Sequence, residues 1–291
     1  MYFQALERFL DFVAHVRLHS ETPDGHPAQL PCNATLDVWL AFYFSYNCFR
    51  KFLHVNQSQL TLAAVLYLVP ELKGSFPLAG RSLSAYLELL PGKERGPWDR
   101  DGVAAVAAVF LLQGDDEAAL IVLFCFGTMA RAQDWSRLHV EDVAFSGDTA
   151  GIKFGARGER AKTGYDQGFD LIGWTFLVNW LRRQCRQRGH GKVFSLSTSA
   201  FRHKWKVVVD ALQFPDDPPH VLRHSGASFR YAVLHQSLPE IMRIGRWRAL
   251  SSVQRYTKSW LCAHFRAAVS DEWLRLGHFF WHQPGRFLVP P

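Results

Sequence analysis

Tyr256 stands nine residues after Trp247, and Trp247 two after Gly245. Further upstream His220 and Arg223 make a His-x-x-Arg pair, Arg131 and Asp134 an Arg-x-x-Asp pair, and Lys162 lies between the two in a Lys-Thr-Gly context. Together these types could attack a phosphodiester. Such a bond is already anionic, so a catalyst must cancel the charge that builds on its non-bridging oxygens. Guanidiniums suit that task, because they stay protonated at working pH and present a planar donor fork that a lysine lacks. A phenol, with an ordinary pKa of about 10, must lose its proton as it attacks, and an imidazole can take it. Each residue also has a bland reading. Tyr256 could be a half-exposed helix tyrosine and Trp247 a core residue. His220 and Arg223, which follow Asp-Asp-Pro-Pro, could be helix-start residues in local hydrogen bonds, and Asp134 a solvated acid. Any one match is common; the information lies in their joint order and spacing.

That order resembles the tyrosine recombinases, the phage-integrase family. The family shows His-x-x-Arg at a helix start, then Gly-x-His-or-Trp, and a Tyr nine residues on, which fall here on His220, Arg223, Gly245, Trp247 and Tyr256. Phe124 to Val143, FCFGTMARAQDWSRLHVEDV, resembles the family's first box, with Arg131, Asp134, Leu138, Asp142 and Val143 in register. Lys162 sits where the family carries a hairpin lysine; Lys153, in the same region, is the alternative. The resemblance covers residues of about 100 to 270, and the first 90 only by analogy. Ser225-Gly226 stands where Thr-Phe is more usual, and Trp247 where many bacterial members have His.

The resemblance implies a site-specific recombinase or integrase that breaks and rejoins DNA strands without metal or other cofactor. Arg131 and Arg223 would hold the phosphate, with Asp134 positioning the first and His224 in a supporting place. His220 would assist Tyr256, whose attack leaves a 3′-phosphotyrosyl bond, and Lys162 would protonate the departing 5′-oxygen. Trp247 would donate its indole N–H to the phosphate and pack on the helix of the nucleophile. Because the phosphotyrosyl link conserves the bond's free energy, an incoming 5′-hydroxyl can reverse the step. Double-stranded DNA and further copies of the chain are the implied partners, a dimer on each site and a tetramer at synapsis. Two other functions share the pattern: a DNA-binding protein that keeps the fold without catalysis, and a type IB topoisomerase.

The elements that must position these residues read as a mainly α fold with a small antiparallel hairpin sheet. Apolar residues recur at helical steps over 3–17 and 34–53, with shorter helices over 57–69 and 82–90, giving an N-terminal helical core-binding domain over 1–90. Residues 91–98, with two prolines and two glycines, form the expected linker, and 99–291 the catalytic domain. Helices are predicted there at 99–112, 115–128, 173–188, 199–213, 223–235, 238–245 and 250–269, with the hairpin sheet between 142 and 170. Trp260, Phe265, Trp273, Phe279, Phe280 and Trp281 make the tail from Ser259 to Pro291 unusually apolar. Such a tail either covers its own domain or docks on a neighbouring subunit, and the second is the expectation.

The net charge of +7 suggests a polyanionic partner. Residues 1 to 95 hold eight of the 33 Lys and Arg and eight of the 26 Asp and Glu, so the positive excess lies wholly beyond them. Five separated cysteines (Cys32, Cys48, Cys125, Cys185 and Cys262), with no C-x-x-C pair, read as reduced residues of an intracellular protein found with DNA. His203 and His235 have no third ligand at metal spacing. The longest apolar stretches, Val103 to Leu112 and Ala118 to Ala130, are too short to span a bilayer.

Overall fold

The computed structural model describes residues 1–30, 34–90, 96–154 and 167–287, and the chain divides into two compact units, Met1–Glu94 and Arg95–Pro291. The first unit is four helices: α1 (Tyr2–His19), α2 (Leu36–Phe49), α3 (Asn56–Leu68) and α4 (Pro77–Leu89). Its core is aromatic, with Phe9, Phe12, Tyr43, Phe44, Tyr46 and Tyr86 packed together, and α2 buries residues on several sides. Helix α4 starts five residues before the predicted start at 82. No side chain of its own caps it; Asp37 of α2 accepts from the backbone N–H groups of Leu78 (3.0 Å) and Ala79 (2.8 Å) instead. A cap supplied from forty residues away leaves no local signature.

The second unit is built around α5 (Arg100–Leu112) and α6 (Asp116–Thr128), which are apolar on nearly every face and correspondingly buried all round. Asp99 and Asp115 cap them, accepting from the N–H groups of Asp101 and Ala118. A short helix, α7 (Ala132–Ser136), follows, and then a sheet of three antiparallel strands in the order β1 (Val143–Ser146), β2 (Thr149–Phe154), β3 (Gln167–Leu171). Val143 pairs with Ile152 and Ile152 with Phe169, so that Ile152, Phe154 and Phe169 face the core together. Helices α8 (Thr175–Arg188), α9 (Thr198–Ala211), α10 (Val221–Ala232), α11 (Leu238–Gly245), α12 (Leu250–Tyr256), α13 (Leu261–Ala268) and α14 (Asp271–His282) complete the unit. The fold is mainly α with a small antiparallel sheet, as expected. No helix among the described residues is long and apolar enough to cross a membrane.

Two departures matter for function. The continuous helix expected over 250–269 is broken into α12 and α13, so that Tyr256 is the last residue of a helix; its carbonyl accepts from Ser228 Oγ at 3.0 Å. The apolar tail also needs correction, because α14 lies on α5 of its own chain. Leu274 and Phe280 are buried in the same core as α5, and a Cβ at Gly277 would fall 1.7 Å from the carbonyl oxygen of Asp101. Phe280 and Trp281 fill their own domain's surface, which is why the tail could be so apolar. Gly277→Val should therefore pry α14 off α5 and cost about 1–3 kcal/mol or more. A lowered melting temperature with faster proteolytic release of the tail would be the signature, and unchanged values would return the tail to a neighbouring subunit.

Ser225-Gly226, an unusual pair in the sequence, has a packing reason. Ser225 Oγ accepts from the backbone N–H of Trp98 at 2.8 Å and donates to the carbonyl of Val221 at 2.9 Å. At Gly226, α10 crosses α6 so closely that a Cβ would sit 2.1 Å from the carbonyl oxygen of Phe126. Backbone cannot yield as a flexible side chain can. Gly226→Ala is expected to cost roughly 1–3 kcal/mol by overpacking, read as a melting point several degrees lower in calorimetry.

Candidate active site

Four separate elements bring the chemistry-bearing residues to one place. Arg131 precedes α7, where Asp134 in the helix's first turn accepts from the Arg131 backbone N–H at 2.8 Å. Asp134 thus fixes the arginine's backbone rather than its guanidinium. His220 stands at the start of α10, and Arg223, one turn later, points into the protein and is 1% exposed. Its Nη1 donates to the carbonyl of Met129 and its Nη2 to that of Gly245, while its Cζ lies 4.0 Å from the centre of the Trp247 ring. The guanidinium is held like a plate between two carbonyls and an indole face. Gly245 is required here: a Cβ would lie 1.8 Å from the Trp247 ring.

Helix α11 begins with a Ser237–Glu240 capping box, whose hydrogen bonds lower the Glu240 pKa, and ends at Gly245 and Arg246. Beyond them α12 delivers Tyr256. The phenol hydroxyl lies 3.2 Å from His220 Nε2, its ring stacks on His224 at 4.1 Å and meets Trp247 at 4.9 Å, and Arg223 Cζ is 5.8 Å from the ring centre. Tyr256 is half-buried and His220 exposed, so the hydroxyl can be reached from outside.

Among the described residues the site is a cluster of cations with Asp134 as its buried acid. Burial, then the charges of Arg131 and Arg246, push the Arg223 pKa down from its ordinary value to about 9. Arg131 Nη1 and Arg223 Nε are buried yet have no hydrogen-bond partner among the described residues. Unsatisfied guanidinium N–H groups in a buried cluster are what an anion with several oxygens would satisfy.

Of the residues singled out in sequence, Arg131, Asp134, His220, Arg223, His224, Trp247 and Tyr256 thus lie in one constellation. Lys162 lies outside the described residues. Lys153 is in β2 with an exposed side chain, opposite in direction to buried Ile152 and Phe154. Sequence reasoning overlooked two contributors: Ser228, which holds the Tyr256 carbonyl, and Arg246, which forms a buried ion pair with Asp134 at 2.8 Å. Nothing in the Gly-Arg-Trp run distinguishes Arg246 from a surface arginine.

No protein-family model and no curated protein matches the sequence. Solved structures do match it in fold. XerH site-specific recombinase, bound to its difH substrate in a pre-cleavage complex, superposes with a TM-score of 0.59 at 14% identity, over 88% of this chain and 74% of that one. A lambda integrase dimer bound to a COC′ core site gives 0.58 at 12% identity, over 88% and 89% of the two chains. The Tn1549 transposon integrase, in complex with transposon right-end DNA, gives 0.58 at 13% identity, over 91% and 93%. The fold is that of the tyrosine recombinases. Within a tyrosine-recombinase fold at such low identity, the roles of individual residues rest on the geometry just described.

Proposed function

We propose that this chain is a site-specific DNA recombinase or integrase that cuts and rejoins strands through a bond from Tyr256 to a backbone phosphate. The observation that carries the reading is the Tyr256 hydroxyl 3.2 Å from His220 Nε2, on a ring whose centre lies 5.8 Å from the Arg223 Cζ. Nucleophile, proton acceptor and charge stabiliser are adjacent, with no rearrangement needed to bring them together.

In this mechanism a DNA phosphate enters beside Tyr256 and takes up the unsatisfied N–H groups of Arg131 and Arg223. Their charges stabilise the five-coordinate transition state more than the ground state, since the negative charge on its oxygens is greater there. His220 receives the phenol proton as the oxygen attacks. The bond from phosphorus to the 5′-oxygen breaks, Lys162 supplies the proton that makes that oxygen a good leaving group, and the 3′ end stays on Tyr256. Attack by another strand's 5′-hydroxyl runs these steps in reverse and restores the tyrosine. Trp247 packs its ring 4.0 Å from the Arg223 Cζ, and Asp134 keeps Arg131 at the start of α7. The positive excess of residues 96 to 291 suits the phosphate backbone of a duplex. Pairs of chains would occupy each site and four would form the synapse.

Incubation with a nicked suicide duplex carrying the element's own ends tests this. A DNA-linked band that survives denaturing electrophoresis, with the phosphate mapped by peptide analysis to Tyr256, is the expected result. Phosphate mapped to another residue, or no band with any end sequence, would overturn it.

A further inference from the structure

Among the described residues, three guanidiniums and one carboxylate share the heart of the site. Arg246 is 6% exposed and Asp134 7% exposed, and their ion pair is nearly closed to solvent. Asp134 Oδ2 accepts from the Arg246 Nη2 at 2.8 Å and from the Arg131 backbone N–H at 2.8 Å. Among the described residues the one acid of the cluster is therefore engaged by Arg246 through Nη2, while Arg131 Nη1 and Arg223 Nε, like the Arg246 Nε, meet no acceptor. Arg246 reaches this place through a left-handed backbone conformation (φ 56°, ψ 44°), which for a side chain of this size is tolerated only where the surroundings hold it. Phe154, the last residue of β2, and Phe169 of β3 do so, with ring centres 4.4 and 5.7 Å from the Arg246 Cζ. Its Nη1 also donates to the carbonyl of Ile244 at 3.1 Å.

We infer that Arg246 is a positioning residue that occupies the Asp134 carboxylate and so leaves Arg131 and Arg223 unpaired for the scissile phosphate. The inference rests on the proposed function for the identity of that phosphate. Without Arg246 the buried carboxylate would have no guanidinium partner, and a charge so placed draws the nearest cation strongly. Arg131, whose backbone N–H it already accepts from, is the candidate the inference names. The cluster would then offer an incoming anion one unpaired guanidinium in place of two. Arg246 also bridges three parts of the site: the start of α7 through Asp134, the paired strands through the two phenyl rings, and the segment leading to Trp247 and Tyr256 through its own backbone.

The charge count makes an unusual demand of a double variant. Arg246→Met should lose the anion site, and adding Asp134→Asn should bring it back, because the second change removes the competing carboxylate while its amide oxygen can still accept from the Arg131 N–H. The probe is orthovanadate, with affinity read from its stabilisation of each protein relative to that protein's own melting point. Arg246→Met is expected to bind vanadate at least roughly tenfold more weakly than the unaltered chain. Asp134→Asn/Arg246→Met should return to within about threefold of it. A merely structural role predicts the opposite order, with the double variant no better than the single. That order, or a failure of vanadate to stabilise the unaltered chain, overturns the inference. Should Arg246→Met not fold, Arg246→Lys carries the test: keeping the charge, it should hold vanadate within about threefold, and a tenfold loss in a folded protein is equally fatal. These readings need no DNA cleavage, so they fail separately from the Tyr256 adduct.

Discussion

Tyr256→Phe is expected to abolish the covalent protein–DNA adduct and all strand exchange while leaving the protein folded and able to bind the same duplex. The substitution removes one oxygen atom. Stacking on His224 at 4.1 Å and contact with Trp247 at 4.9 Å belong to the ring and survive, as does the hydrogen bond from Ser228 to the backbone carbonyl of residue 256. The hydroxyl's partner is His220, which is exposed and can turn to water. No buried donor or acceptor is orphaned, so the stability change should stay within about 0.5 kcal/mol. Without the oxygen the proposed nucleophile is gone. The check is a denaturing gel on the suicide substrate beside a melting curve and a mobility-shift titration. An adduct that persists in the phenylalanine variant, with the protein folded, would remove Tyr256 from the mechanism.

Arg223→Lys should reduce the rate of adduct formation about 10²- to 10³-fold at saturating DNA, the scale of losing a preorganised donor to a transition-state oxygen. Lysine keeps the charge but not the shape. Arg223 spends two of its N–H directions on the carbonyls of Met129 and Gly245 and has its Cζ 4.0 Å from the centre of the Trp247 ring, with Nε unpartnered among the described residues. A single ammonium cannot serve two carbonyls on separate segments and a phosphate in the same plane. Arg223→Ala should be worse for rate and also for stability, since each buried carbonyl left unpaired costs about 1–3 kcal/mol. Removing an expensive buried charge offsets part of that cost, as the depression of the Arg223 pKa to about 9 indicates. Single-turnover kinetics, with duplex affinity measured separately, separates the two effects. A lysine variant that cleaves at the unaltered rate would show that the fork geometry is irrelevant and would leave only the charge.

Much of the architecture was legible in the sequence because it is written in local periodicity. Helices α5 and α6 are bounded by Asp caps and a Gly turn, and their apolar runs state both their length and their burial on every side. The small sheet was legible for the same reason, with alternation in β2 leaving Ile152 and Phe154 on one face. Boundaries set by distant partners were not. The start of α4 depends on Asp37, and the break after Tyr256 falls within a run whose apolar spacing continues unchanged through Phe265. The tail's apolar character was legible but its destination was not, because an apolar stripe is equally suited to its own domain and to a second copy.

The site divides in the same way. Residue types, their order and the nine-residue step from Trp247 to Tyr256 are properties of the chain, and they restrict the chemistry to that of a phenol, an imidazole and guanidiniums at a phosphate. Which of those guanidiniums stays unpaired was decided only by folding. Arg131, Arg223 and Arg246 are equivalent as letters, yet Arg246 meets a carboxylate, Arg223 meets two carbonyls and an indole, and Arg131 keeps a buried nitrogen with no acceptor among the described residues. The reason is physical: an arginine's role depends on the acceptors within a few ångströms of it, and here those come from segments about a hundred residues apart.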